Sequence, residues 1–138
     1  MHYQRKACGY GNGLFATEFI HAGAEIGQLA GYETAYIGLS AELKRLVIYL
    51  GNKRAFVITN DLVYANHSCD PNCRFEDNAL IALHDIPAGE QITYSYNVFP
   101  AARFNPAEDW WWDDAAWSFD CACGSPHCQG RIDGYRFV

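Results

Sequence analysis

Charge and long apolar runs are both scarce in this chain. Charged residues make up 19 %, below the usual ~25 % of globular proteins. The apolar stretches are only a few residues long, far short of the ~20 a membrane-spanning helix needs, so no span is expected. The first ten residues carry charge and no apolar core, so no secretion signal is expected either, and an intracellular protein is the expectation. No linker or low-complexity segment divides the chain. No Gly-Lys-Ser/Thr stands in it, which excludes a P-loop.

What is abundant points to a packed domain. The 138 residues suit one compact unit with a real core. Half are hydrophobic and 15 % aromatic, which excludes disorder and coiled coil. Net charge is −6, which argues against a duplex-binding surface, and no direct nucleic-acid contact is expected. The charge is lopsided. Residues 1–69 hold six Lys/Arg and five Asp/Glu, whereas residues 70–138 hold four and eleven. Glu108, Asp109, Asp113, Asp114 and Asp120 form a run with no base among them. Such a run is usually a solvated loop; it is also a surface that attracts a cationic partner such as a lysine-rich peptide.

Six cysteines stand at 8, 69, 73, 121, 123 and 128. Without a secretion signal, metal binding is favoured over disulfides. Cys121, Cys123 and Cys128 form C-x-C-x4-C, with Gly124-Ser125-Pro126 as a turn that lets sulfurs converge on one ion. Tetrahedral zinc needs one more ligand, from His127, Cys8, Cys69 or Cys73.

The element pattern is mostly β. Strands are predicted at Leu14–Phe19, Glu25–Gly31, Ala55–Thr59, Arg74–Glu76, Ala79–His84 and Gln91–Tyr94, with a hairpin turn at Glu76-Asp77-Asn78. One short helix is predicted, because Leu43, Leu46, Val47 and Leu50 follow i, i+3, i+4, i+7, with Ser40 as N-cap and Gly51 as C′. There is an internal echo: Ile20–Ile26 and Ile86–Ile92 both read I-x-A-G-x-x-I. Trp110, Trp111, Trp112 and Trp117 need burial or a ligand.

Three segments carry chemistry. Gly9–Ala16 is glycine-rich and allows close backbone approach, though a plain turn explains it equally; no strand clearly precedes it and no helix follows, unlike a dinucleotide fingerprint. Asn66-His67-Ser68-Cys69-Asp70-Pro71-Asn72-Cys73 is a dense polar run in which Asn66 and His67 can read the edge of a base. A cysteine protease is the competing thought there, and a polar turn the bland one. In Gly89–Asn97, Tyr94 and Tyr96 share a strand face, where two hydroxyls could bond an amine and two rings wall a slot.

Together, in this order, these segments resemble the SET-domain protein-lysine methyltransferases, in particular small standalone members ending in a post-SET zinc segment. Gly11–Ala16 is similar to their G-x-G-[LV]-x-A opening, and Asn66–Asn72 to N-H-S-C-x-P-N at every defined position. Gly89–Tyr96 resembles G-E-E-[LI]-x-[FY]-x-Y, and the last three cysteines match the post-SET C-x-C-x4-C. The resemblance implies a fold of several small curved sheets with a knot-like C-terminal threading, one short helix and a zinc-bound tail. It divides the chain into a SET domain over 1–104 and a post-SET segment over 105–138. It implies S-adenosylmethionine as methyl donor, held by Gly11, Asn12, Gly13, Tyr49, Asn66 and His67. Cys69 becomes the fourth ligand of a structural zinc, beside Cys121, Cys123 and Cys128.

Tyr96 is then the catalytic hydroxyl, with Tyr94 beside it shaping the lysine slot toward monomethylation. The expected partner is a lysine-bearing protein, a histone or another basic one. An inactive module that binds lysine-rich peptides is the alternative. Two positions depart from the family: Val63-Tyr64 replaces an Arg-Phe pair, and Leu29 stands where a tyrosine is usual, unless Tyr32 or Tyr36 serves.

Overall fold

Glycines and turn residues recur every few positions, so strands form but stay short. The computed structural model describes residues 2–9, 11–44, 46–96, 98–99, 105, 119–132 and 136–137. The four tryptophans and the acids from Glu108 to Asp114 lie outside the described residues. In chain order the elements are β1 (Tyr3–Cys8), β2 (Gly11–Ala16), β3 (Glu25–Gln28), β4 (Gly31–Ala35), α1 (Ala41–Lys44), β5 (Val47–Gly51) and β6 (Arg54–Ile58). A 3-10 turn, Asp61–Tyr64, precedes β7 (Asn66–His67), β8 (Cys73–Glu76), β9 (Ala79–Ala82) and β10 (Gln91–Tyr94). Four two-residue strands follow: β11 (Val98–Phe99), β12 (Phe119–Asp120), β13 (Arg131–Ile132) and β14 (Arg136–Phe137).

These strands build a four-stranded sheet in the order β1-β2-β10-β7, two three-stranded sheets, β3-β9-β8 and β4-β6-β5, and two small ladders. The main core joins Leu14, Ile26, Leu80 and Ile92 from the first two sheets with Leu62 of the 3-10 turn and the bridging Ile20 and Ile86. Tyr36, Val47, Tyr49, Ala55 and Val57 form a second cluster on the third.

The internal echo is a symmetric core device, and it is longer than the I-x-A-G-x-x-I segment. Residues 14–26 and 80–92 share L-x-A-x-x-x-I-x-A-G-x-x-I. Ile20 and Ile86 bridge each other, with N–H to O distances of 2.9 and 2.8 Å. Gly23 N–H donates to Ala82 O as Gly89 N–H donates to Ala16 O, both at 2.8 Å. Each glycine takes a positive φ, 84° and 88°, as the third residue of a tight turn requires. Each copy's first strand pairs with the other copy's last: β2 with β10, and β9 with β3. The repeat therefore folds by mutual exchange, and all eight of its Leu, Ala and Ile side chains flanking the turns are buried.

Three sequence expectations need correction. The helix is one turn only. Ser40 caps it, its Oγ accepting the Leu43 N–H at 3.1 Å, but it stops at Lys44. Val47–Gly51 is instead a strand with burial alternating at period two, paired to β6. Leu46 and Val47 fit both periods, and β-branched Val47 and Ile48 beside a partner strand decide for β. Gly51 does adopt a positive φ of 86°, but it serves the β5–β6 hairpin with Asn52 and Lys53, also left-handed. The second correction is that a strand, β1, does precede the glycine-rich segment, and Gly11 and Gly13 sit inside β2, its hairpin partner, with Gly9 in the turn between them. The predicted strand over Glu25–Gly31 breaks into β3 and the start of β4, while Gln91–Tyr94 and the Glu76–Asn78 turn form as read.

No helix among the described residues is long and apolar enough to cross a membrane.

Candidate functional site

The site forms where β7 runs parallel to β10, pairing Asn66 with Thr93 and His67 with Tyr94. The polar run after β7 then folds back onto β10. Asn72 Nδ2 donates to Gln91 O at 2.8 Å, and Asn72 Oδ1 accepts the Thr93 N–H at 2.9 Å. Ser95 Oγ donates to Ser68 O at 2.8 Å. Asn72 is 5 % exposed, so these bonds are what make its burial affordable in free-energy terms. They lock two distant segments into one structure.

Asn66 sits at a junction to which all four strands of the sheet contribute. Its Nδ2 donates to Asn12 O and to Gln91 Oε1, both at 2.9 Å, and lies 3.5 Å from Cys8 Sγ. Gly13 is buried against the same group. A Cβ there would stand 2.7 Å from Gln91 Oε1 and 3.1 Å from Asn66 Nδ2. The glycine is therefore needed to let two amides meet. With its amide nitrogen so engaged, Asn66 has its carbonyl oxygen left to face a ligand.

His67 packs edge to face against Tyr96 and Phe119, at centroid separations of 5.3 and 5.5 Å, and those two rings lie tilted to each other at 5.8 Å. Together with Asn66, Asp120, Cys121 and Ala122 they line a largely apolar cavity of about 160 Å³. Tyr96 is anchored at both ends. Its hydroxyl donates to Ala65 O at 2.6 Å, and its backbone N–H donates to His67 Nδ1 at 3.0 Å. The Tyr94 ring lies 4.7 Å from that of Tyr96 and also 4.7 Å from Phe75. Burial raises the pKa of both tyrosines, and Tyr96 adds to the effect on Tyr94, so both hydroxyls stay protonated at neutral pH.

Four thiols gather beside this cavity. The Sγ atoms of Cys69, Cys121, Cys123 and Cys128 all lie within 4.8 Å of one another, and Cys69 and Cys121 are 3.9 Å apart. Four sulfurs tetrahedral about zinc at ~2.3 Å stand about 3.8 Å apart, so the set fits that ion. Gln129 N–H donates to Cys69 Sγ at 3.3 Å, the kind of outer bond that supports a thiolate ligand. Burial raises the Cys121 thiol to about 12. Burial opposes ionisation of Cys123 too, but backbone N–H groups at Cys69 and Ser125 and the neighbouring thiols bring it down to about 6.

Of the other candidate ligands, His127 turns away, its Nδ1 2.9 Å from Asp70 Oδ2, an oxygen that Ser125 Oγ also bonds. Cys73 is 1 % exposed in the main core, and burial pushes its thiol up to about 12. Cys8 lies beside Asn66.

The structure thus brings together Gly13, Asn66, His67, Tyr94, Tyr96 and the four cysteines, with Asn12 touching through its carbonyl. Gly11 is exposed where the β1–β2 hairpin turns. Tyr49 lies in the second cluster, packed edge-on to Tyr36 at 5.6 Å, with its hydroxyl accepting the Lys53 N–H at 3.1 Å. Leu29 is half-buried against the main core, as Tyr94 is, whereas Tyr36 belongs to the second cluster and Tyr32 is 50 % exposed. Sequence reasoning missed Gln91, the Ala65 carbonyl and Phe119 as site groups. Gln91 stood inside a quoted motif; the other two carried no signal.

A β domain of small sheets, with a four-thiol cluster beside an aromatic cavity, defines the class. The SET-domain family profile matches residues 11–97, and the chain belongs to that family. Histone-lysine N-methyltransferase ash1 of Drosophila melanogaster is 34 % identical over 83 residues, 54 % of this chain and 3 % of that protein. Methyltransferase flvH of Aspergillus flavus is 33 % identical over 81 residues, 56 % of this chain and 39 % of that protein. The chain therefore spans only a minor part of these curated relatives. A crystal structure of a Plasmodium falciparum protein, described as a histone methyltransferase, superposes with a TM-score of 0.59 at 19 % identity, covering 70 % of this chain and 93 % of that one. At that identity it speaks for the fold.

Proposed function

We propose that this protein transfers a methyl group from S-adenosylmethionine to the side-chain amine of a lysine in a basic protein, mainly once per lysine. The observation that carries the reading is the convergence of Asn66, His67 and Tyr96 on one cavity that Cys121 of the four-thiol cluster also lines. When bound, the donor supplies an electrophilic methyl on a sulfonium; the amine nitrogen bonds that carbon as the carbon–sulfur bond breaks, and the thioether leaves with the electron pair. Gly11, Asn12, Gly13 and Asn66 are read as the donor's polar cradle, with His67 and Phe119 beside its flat base. Tyr49, packed edge-on to Tyr36, is read as a further donor contact from the neighbouring sheet.

The chain's contribution is alignment and exclusion of water. A free lysine has pKa near ~10.4, so most of it is protonated at neutral pH. An apolar aromatic slot favours the neutral amine, and the released proton goes to solvent before the amine enters. The protonated Tyr96 hydroxyl directs its hydrogen to Ala65 O, which leaves lone pairs free to face the reacting methyl. Holding nucleophile, carbon and leaving group in line is the main source of rate. Zinc, held by the four thiols, would be structural, because four protein ligands leave no open position.

Residues 1–104 are read as the SET domain and 105–138 as the post-SET segment, whose zinc arm folds over the cavity. The reduced thiols suit an intracellular setting. Histones are the first substrates to try, since several relatives bear that name. Incubation with labelled S-adenosylmethionine and core histones, followed by mass spectrometry, tests the reading. Donor binding without transfer to any basic protein would instead favour a module that only binds lysine-rich peptides.

A further inference from the structure

We propose that the His67 imidazole is a positioning residue that ties the four-thiol metal centre to the backbone of Tyr96. The inference rests on the zinc and methyl-transfer reading above and assigns His67 a task besides flanking the donor.

The hydrogen-bond directions follow from elementary chemistry. The Tyr96 backbone N–H can only donate, and it lies 3.0 Å from His67 Nδ1. Nδ1 must therefore present its lone pair, and in a neutral ring the proton then sits on Nε2. Nε2 is 3.4 Å from Cys69 Sγ, within reach of an N–H to sulfur bond. A zinc-bound thiolate is a good acceptor for that proton. One ring thus spans from a metal ligand to the backbone of the tyrosine two residues beyond β10. The ring has little freedom to slip. It is 7 % exposed and held edge-on between Tyr96 and Phe119. Cys69 itself is buried, and the Tyr96 hydroxyl is fixed at its far end by Ala65. A small displacement of the Cys69 sulfur is passed through a rigid ring to the Tyr96 backbone rather than absorbed. Outer-sphere partners of metal ligands commonly carry orientation in this way.

Two variants cut the two ends separately. In His67→Asn the amide oxygen stands near the place of Nδ1 and keeps the Tyr96 bond, but nothing reaches Cys69. In His67→Gln the longer side chain places an N–H near Nε2 and keeps the sulfur bond, while the acceptor for Tyr96 is lost. The test uses the full chain, isotopically labelled, and follows the Tyr96 amide by NMR as Zn²⁺ is replaced by Cd²⁺, whose bonds to sulfur are longer. In the parent chain the Tyr96 resonance and its hydrogen exchange should move with the metal. In His67→Asn the metal-dependent part should vanish. In His67→Gln the Tyr96 amide should exchange roughly five- to tenfold faster, the scale of one hydrogen bond, while the Co²⁺-substituted protein keeps its charge-transfer spectrum. A Tyr96 amide indifferent to the metal in the parent chain, or equally responsive in His67→Asn, overturns the proposal. If His67→Asn does not fold, the parent exchange and His67→Gln still decide. Methyl transfer is measured alongside: a parent chain with no transfer but a metal-responsive Tyr96 removes the enzymatic reading and leaves the link standing.

Discussion

Replacing Gly13 by alanine puts the junction beneath the site under a defined load. The backbone there is not left-handed, so alanine meets no conformational penalty, and a less flexible unfolded chain favours it by about 0.4–1 kcal/mol. The side chain is the problem. Its Cβ would lie 2.7 Å from Gln91 Oε1, 3.1 Å from Asn66 Nδ2 and 3.3 Å from Cys8 Sγ. The first is closer than carbon and oxygen tolerate, so the Gln91 amide must swing away. That breaks its 2.9 Å bond from Asn66, at about 1 kcal/mol. Overpacking of a buried position adds about 1–3 kcal/mol. The net expectation is a loss of about 1–3 kcal/mol, read by urea denaturation. Asn66 then loses one of the acceptors that orient it, so donor affinity measured by calorimetry should fall as well. Combining the change with Gln91→Ala gives the decisive comparison. Gln91→Ala removes the clashing atom, so alanine at 13 should cost clearly less in that background, a non-additivity expected only of groups in contact. Gly13→Ala with parent stability and parent donor affinity, or strict additivity in the double variant, refutes the reasoning.

The purified protein should carry about one zinc per chain, and Cys123→Ser should lower metal affinity and loosen residues 119–132; no metal, with all six thiols titratable in the folded protein, counts against the site. Tyr96→Phe should lower methyl transfer by roughly 10²–10⁴-fold with donor binding retained, on the scale of a lost polar catalytic group; transfer at the parent rate would remove Tyr96 from that role. Tyr94→Phe should shift the product from mono- toward di- and trimethyl-lysine in mass spectra, because a missing hydroxyl enlarges the slot; an unchanged product with altered stability would mean that Tyr94 only packs against Phe75. Both tyrosines have raised folded pKa values, so the unfolded chain ionises first as pH rises. Their contribution is complete below the unfolded value of ~10 and is lost as pH climbs through the folded values. Denaturation midpoints should therefore fall above pH ~10, and fall less in the two phenylalanine variants.

Local chemistry made much of the site legible from sequence. The C-x-C-x4-C spacing with its Gly-Ser-Pro turn marked a metal arm, because ligands that lie close in the chain need only a turn to converge. The resemblance of Asn66–Asn72 and Gly89–Tyr96 to family motifs supplied what spacing left open, namely Cys69 as fourth thiol. The Asp77-Asn78 turn and the Gln91–Tyr94 strand were read because turn residues and period-two patterns act over a few positions. The I-x-A-G-x-x-I echo was visible as well, though not that its two copies bridge each other.

What the tertiary structure alone decided involves partners distant in sequence. Leu43–Leu50 satisfies a helical period as well as it does a strand, and only β6 lying alongside turns Val47–Gly51 into an edge strand. Tyr49 was read at a helix end; the structure places it on β5, with its ring edge-on to Tyr36. Gly13 was read as letting the backbone approach a ligand; that a Cβ there would meet Gln91 and Asn66, 78 and 53 residues away along the chain, could not be read from sequence. The hydrogen-bond roles of His67 were likewise hidden, since they depend on a backbone N–H and a sulfur delivered by other segments. Residue types and short spacings fix which groups are present and which turns they make. Which groups meet depends on long-range strand pairing, and that is settled by burial of the whole core.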